Sequence, residues 1–106
     1  MARKILGQSY PAAGLLVDLY TVPAEKSATG SSVVICNQGA WSGCFRVSAA
    51  KAGAADERKQ YLYRDVTLAP YDSFVATIGP TLAETDVLRV YSASGLLSFT
   101  LFGDES

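Results

Sequence analysis

The chain has 106 residues, nine of them basic and ten acidic, with two cysteines and no histidine. That length holds one domain with a single modest core, and the scattered charges form no basic block able to neutralise a phosphate backbone, so nucleic-acid binding lacks an electrostatic basis. Without histidine a Ser-His-Asp triad and a Cys-His dyad are both excluded, and two cysteines fall short of the four ligands of a structural zinc site.

The N-terminal stretch MARKILGQSYPAAG follows its two basic residues with only Ile5 and Leu6 before glycine and polar residues intervene. It lacks the apolar centre of a secretory signal. The longest apolar runs, LLV at 15–17 and VVIC at 33–36, are too short to span a membrane as helices. The expectation is synthesis in a cytoplasm.

Apolar residues then recur in short, mostly two-residue alternation, the period of strands. The first predicted strand runs over 4–10 and ends at Pro11; the second covers 16–22 and ends at Pro23. After the turn AEKSATG, SSVVICN (31–37) is dense in β-branched residues and reads as a third strand. CFRVSA (44–49) is a fourth, and AKAGAADERKQ (50–60) a polar surface loop with room for one helical turn. Strands follow at 61–66, 72–79, 87–92 and 96–103, with Pro70, Pro80 and AETD (83–86) between them. SASG (92–95) reads as a tight hairpin turn in which Gly95 supplies a positive φ. About eight strands spaced 8–12 residues apart predict an all-β fold: one antiparallel β-sandwich or jelly roll, with strand order open.

Sorting the strands by face assigns Phe74, Leu88, Val90, Phe99 and Leu101 to the core and leaves Tyr91, Leu96 and Phe102 outside. Tyr61 and Tyr63 share a face on this count, either as cross-strand pairs or toward a partner, since tyrosine is enriched at interfaces. The apolar fraction is 49% against 18% charged residues. Either the fifteen alanines inflate that count, or some apolar surface stays outside the core and is covered by a partner. Trp41, Tyr61, Tyr63, Tyr91 and Phe102 are the candidate interface residues.

CNQGAWSGC (36–44) holds both cysteines and the only tryptophan. Read as a hairpin tip, it sets Cys36 and Cys44 opposite each other, within disulfide range in register and barred from it by a slip of one residue. The other reading is that Cys36 is a small buried apolar residue. Trp41 between two glycines either anchors a contact or folds back over the open end of the sandwich. Glu84 and Asp86 lack the spacing of an EF-hand and read as solvated turn residues. A glycosidase needs two carboxylates facing each other across a cleft, for which so small a sandwich has little room within one chain, and no phosphate-binding glycine motif is present. No enzyme activity, cofactor or metal is expected.

The ordered phrases DLYTVPA, YLYRD, DSFVATIG and DVLRVYSASGLLSF, which extend over most of the chain, resemble a group of small virion-associated proteins of tailed bacteriophages. The resemblance implies a β-sandwich module made in the host bacterial cytoplasm and assembled on the virion, as a capsid decoration (cement) protein or a tail or baseplate accessory. Its partners would be capsid or tail proteins and other copies of itself, as a homo-trimer or larger ring, with neither nucleic acid nor membrane. It carries over no site residue, and CNQGAWSGC and AADERKQ lie outside it. A receptor- or carbohydrate-binding module, with Trp41 and tyrosines stacking on sugars, is the alternative of another class.

Overall fold

The computed structural model describes residues 4–106. It holds nine strands: β1 (Lys4–Ser9), β2 (Leu15–Thr21), β3 (Ala28–Asn37), β4 (Gly43–Ala50), β5 (Tyr61–Leu68), β6 (Ser73–Ala76), β7 (Thr81–Leu82), β8 (Val87–Ser92) and β9 (Leu97–Glu105). The predicted strand at 72–79 is cut short at Ala76, because Gly79 takes a positive φ of 55° and Pro80 follows it. β7 is the ninth strand, a two-residue continuation that pairs with β3 beyond this interruption. No helix among the described residues is long and apolar enough to cross a membrane.

The strands form two antiparallel sheets, in the orders β1-β9-β3-β6 (with β7 also on β3) and β2-β8-β4-β5. First strand pairs with last, second with next to last, and β4 with β5 at the centre, so the chain is one long antiparallel ribbon rolled around a core. This is the jelly-roll arrangement, and it settles the strand order that periodicity alone leaves open. All but two of the connections therefore cross from one sheet to the other.

Alternation along each strand explains the core. Val33 and Ile35 on β3, Phe45 and Val47 on β4, Leu88 and Val90 on β8, and Leu97, Phe99 and Leu101 on β9 are all fully buried between the sheets. The predicted core set is correct, with Phe74 packed against the others from β6. The Phe45 ring lies 5.5 Å from Phe74, 6.2 Å from Tyr63 and 6.4 Å from Phe99, measured between centroids. Tilted and edge-on packing of this kind adds about 0.5–1.5 kcal/mol per pair beyond burial. Tyr20 on β2 hydrogen-bonds the Glu105 carboxylate on β9, tying the C-terminal strand of one sheet to the other. Burial, then this carboxylate, raises the Tyr20 pKa well above the usual tyrosine range.

Ser48 breaks the pattern. Its hydroxyl is fully buried without a hydrogen-bond partner among the described residues. A buried hydroxyl left unpaired keeps its desolvation cost, so Ser48→Ala is expected to raise stability by about 1 kcal/mol in urea denaturation. A loss of stability instead would mean that the hydroxyl is bonded in solution through a buried water.

Candidate functional site

Because successive strands alternate in direction, the connections gather at two ends. One end holds residues 10–14, 38–42, 69–72 and 93–96; the other holds 22–27, 51–60 and 83–86. Charge divides unequally between them. Of the chain's nineteen charged residues only Asp72 falls in the first group of loops, whereas the second carries Glu25, Lys26, Lys51, Asp56, Glu57, Arg58, Lys59, Glu84 and Asp86. The end with a single charge is also the aromatic one. Trp41 is 77% exposed, Tyr71 72% and Tyr10 53%.

These loops are ordered by a buried polar hub. Asn37, 1% exposed at the end of β3, donates its side-chain amide to the carbonyls of Trp41 (2.8 Å), Ala69 (3.1 Å) and Leu68 (3.2 Å). Its Oδ1 accepts from Gly39 N–H at 2.9 Å, and its own N–H donates to the Asp72 carbonyl at 2.9 Å. Tyr71 N–H adds a bond to the Gly39 carbonyl, so the Trp41 and Tyr71 loops are held as one unit. Gln38 N–H donates to the Leu96 carbonyl on the opposite flank. Gly39 lets Leu96 pack close, since a Cβ there would lie 2.4 Å from Leu96 Cδ1 and force that side chain to shift.

Tyr71 itself is strained. Asp72 N–H closes a turn onto the Ala69 carbonyl at 3.2 Å, with Pro70 second and Tyr71 third at φ 56°. This is the shape of a type II turn, whose third position favours glycine or asparagine. A bulky residue held left-handed costs about 1 kcal/mol or more, and burial does not compensate here because the ring is in solvent.

The outer faces of the sheets differ as the ends do. On the first sheet Ile5, Phe102, Val34, Val75 and Thr100 share a face with Gln8, Ser98, Cys36 and Ser73, and alternation along β9 adds Asp104 at the far end of that face. On the second, the Arg46 guanidinium lies 4.4 Å from the Tyr91 ring and donates to Asp65 at 2.6 Å. That bond holds the Asp65 carboxyl below its usual range. Arg89 donates to Asp18 and to the carbonyls of Gly53 and Ala54, pinning the 51–60 loop against this face.

The expected interface residues thus separate. Trp41 is exposed at the loop end, while Phe102 and Tyr91 lie half-buried on opposite outer faces. Tyr61 is half-buried too, its hydroxyl on Asp56 and its ring under Arg64, and burial followed by Asp56 raises its pKa. Tyr63 lies apart from these, half-buried against the core. Register shifts in β5 pair Tyr61 with Ser48 and Tyr63 with Val47, which turns the two tyrosines to opposite faces and sends Tyr63 into the core.

CNQGAWSGC is not a hairpin either. β3 and β4 belong to different sheets, so the loop arches from one to the other. Cys36 lies on the outer face of the first sheet beside Ser98 and Ser73; Cys44 lies on the outer face of the second beside Thr67. The whole sandwich separates the two thiols, both are free, and the disulfide reading fails on this geometry. SASG is likewise an arch, from β8 to β9, although Gly95 has the expected positive φ, at 76°.

Elsewhere the polar groups serve turns. Asp86 accepts from the N–H groups of Ala52 and Ala83, both at 2.9 Å, and Glu84 accepts from Glu25 N–H at 2.6 Å. Among the described residues no three cysteine or carboxylate side chains gather as a metal would need. A depression of about 460 Å³ in the 51–60 loop has Glu57 as its single carboxylate, with Lys51 and Lys59. Compared with known proteins, the chain finds no matching family model, no matching curated protein and no matching solved structure, so the aromatic loop end rests on its own geometry.

Proposed function

We propose that the chain is a structural component of a tailed-bacteriophage virion, a capsid decoration protein that self-associates symmetrically and seats its aromatic loop end on the particle. The observation that carries this reading is the exposed Trp41–Tyr71 pair on loops fixed by Asn37 and nearly free of charge. Large aromatics on pre-ordered loops desolvate much area at little entropic cost, which suits them as docking anchors. The charged end then faces solvent and keeps the particle surface soluble. The family resemblance supports the virion setting, and jelly rolls are a recurrent fold of viral capsid domains, a likeness of fold and not of site.

Co-sedimentation with heads of the encoding phage assembled without this protein tests the reading. Saturable binding that changes little with salt is expected, because the docking end carries almost no charge. Binding to tails and not to heads would move the chain to a tail or baseplate role, and binding to neither would overturn the virion reading. The same exposed rings also suit stacking on sugars, as in a carbohydrate-binding module. Glycan-array binding lost in Trp41→Ala would favour that module.

A further inference from the structure

An exposed sheet edge is a template for another strand, and proteins guard such edges with bulges, charges or cover. The sandwich has four edges, β1 and β6 in one sheet and β2 and β5 in the other. Three are guarded. β1 breaks register between Ile5 and Gly7, and β2 between Asp18 and Tyr20. At these bulges the two strands press together, since a Cβ on Gly7 would lie 2.2 Å from the Leu19 carbonyl oxygen, and this flank is closed. β5 breaks register twice, carries Arg64 and Asp65, and bends at Asp65 with φ 53°. β6 has an unbroken register, no charge and no strand beside it among the described residues.

The direction of its main chain follows from the register. Asn37 N–H bonds the Asp72 carbonyl, and pairing runs from there through Cys36–Ser73, Ile35–Phe74, Val34–Val75 and Val33–Ala76. Hydrogen-bonded and non-bonded pairs alternate in an antiparallel ladder. Phe74 and Ala76 therefore turn their N–H and C=O to β3, and Ser73 and Val75 turn theirs outward. Asp72 Oδ1 already accepts from Ser73 N–H at 2.8 Å. Val75 presents both its main-chain groups outward, and its side chain, 56% exposed, stands on the outer face beside Val34.

We infer that two copies of this chain join edge to edge through β6, antiparallel about a two-fold axis beside Val75. The partner is a second copy because β6 is the one edge open to a strand, so each copy can offer only β6 to the other. With Val75 opposite Val75 of its partner, the two residues exchange both N–H···O bonds and Ser73 stands opposite Thr77, which uses the whole stretch before Gly79 and Pro80. No like charges meet across this seam. The inference names the contact for the self-association in the proposed function, and it fails separately from head binding, which uses the loop end.

Light scattering during size-exclusion chromatography reads the mass directly. At high protein concentration the wild-type chain is expected at twice its 11.2 kDa mass, returning toward 11.2 kDa on dilution, as a short seam implies. Val75→Pro removes an outward N–H without touching the ladder to β3, so it should stay at 11.2 kDa with unchanged circular dichroism and melting. Independently of how that variant folds, Val75→Cys in a C36S/C44S chain should oxidise to a covalent dimer. Opposed α-carbons in such a pair are about 5.5 Å apart, inside disulfide range. Leu62→Cys on the guarded β5 edge should not cross-link. A monomer at every concentration, a trimer, a dimer that survives folded Val75→Pro, or equal cross-linking at 62 and 75 would each overturn the β6 seam.

Discussion

Asn37→Ala is expected to lower stability by about 3–4 kcal/mol, the largest loss from any single polar side chain in the fold. The variant leaves Gly39 N–H and the Trp41 carbonyl without their partners and opens a side-chain-sized gap beneath the loop end. Each buried group left unpaired costs about 1–3 kcal/mol. Ala69 loses less, because its carbonyl also accepts from Asp72 N–H. For a domain of this size the loss corresponds to a fall of roughly 12–20 °C in Tm, read by thermal unfolding at neutral pH. Asn37→Asp separates bonding from volume. It keeps the acceptor for Gly39 but aims a carboxylate at three carbonyl oxygens, so its folded pKa lies above the unfolded value of about 3.9. The charged form is the penalised one, and the deficit of Asn37→Asp should shrink as pH falls toward and below 4. Equal melting of wild type and Asn37→Ala would show that the hub does not order the loops.

The sequence displays the strands more openly than the joints between them. Val33 to Ile35, Phe45 to Val47 and Leu97 to Leu101 alternate cleanly because one face of each is buried, and burial is what periodicity records. A two-residue period does not say which sheet a strand joins. CNQGAWSGC and SASG are short enough for hairpins, and only the strand order turns both into arches and parts the two cysteines. Bulges were equally hidden. One extra residue in β5 reverses the face of Tyr61 relative to Tyr63 without leaving a glycine as a mark.

The site was half legible for a related reason. Trp41 stands out as the only tryptophan, flanked by glycines, but Tyr71 and Asn37 do not. Four turns share one shape: 12–15, 23–26, 69–72 and 83–86 each close from the fourth N–H onto the first carbonyl with a positive φ at the third residue. Only the first has glycine there; the others have Glu25, Tyr71 and Thr85. A reader scanning for turn residues therefore passes over APYD. The signals that were available are Pro70, which presets the second position of such a turn, and an asparagine placed where a strand ends before glycine.

Strain at Tyr71 yields a prediction in which stability and function move in opposite directions. Tyr71→Asn places a residue that tolerates left-handed backbone at φ 56° and removes only an exposed ring. It is expected to stabilise the fold by about 0.5–1 kcal/mol. In the head-binding assay the same variant should lose affinity by about 10-fold or more, the effect of truncating one aromatic anchor. Trp41→Ala should leave stability within about 0.5 kcal/mol, as surface substitutions do, and cost about 30-fold or more in binding. On the proposed docking role, the backbone cost of a ring kept in solvent is offset by what the ring touches outside the chain. If Tyr71→Asn lowers stability, the ring packs within the chain and the strain argument fails. If both variants bind heads as the wild type does, docking belongs to another surface, and the apolar outer face around Phe102 and Val34 is the next to alter.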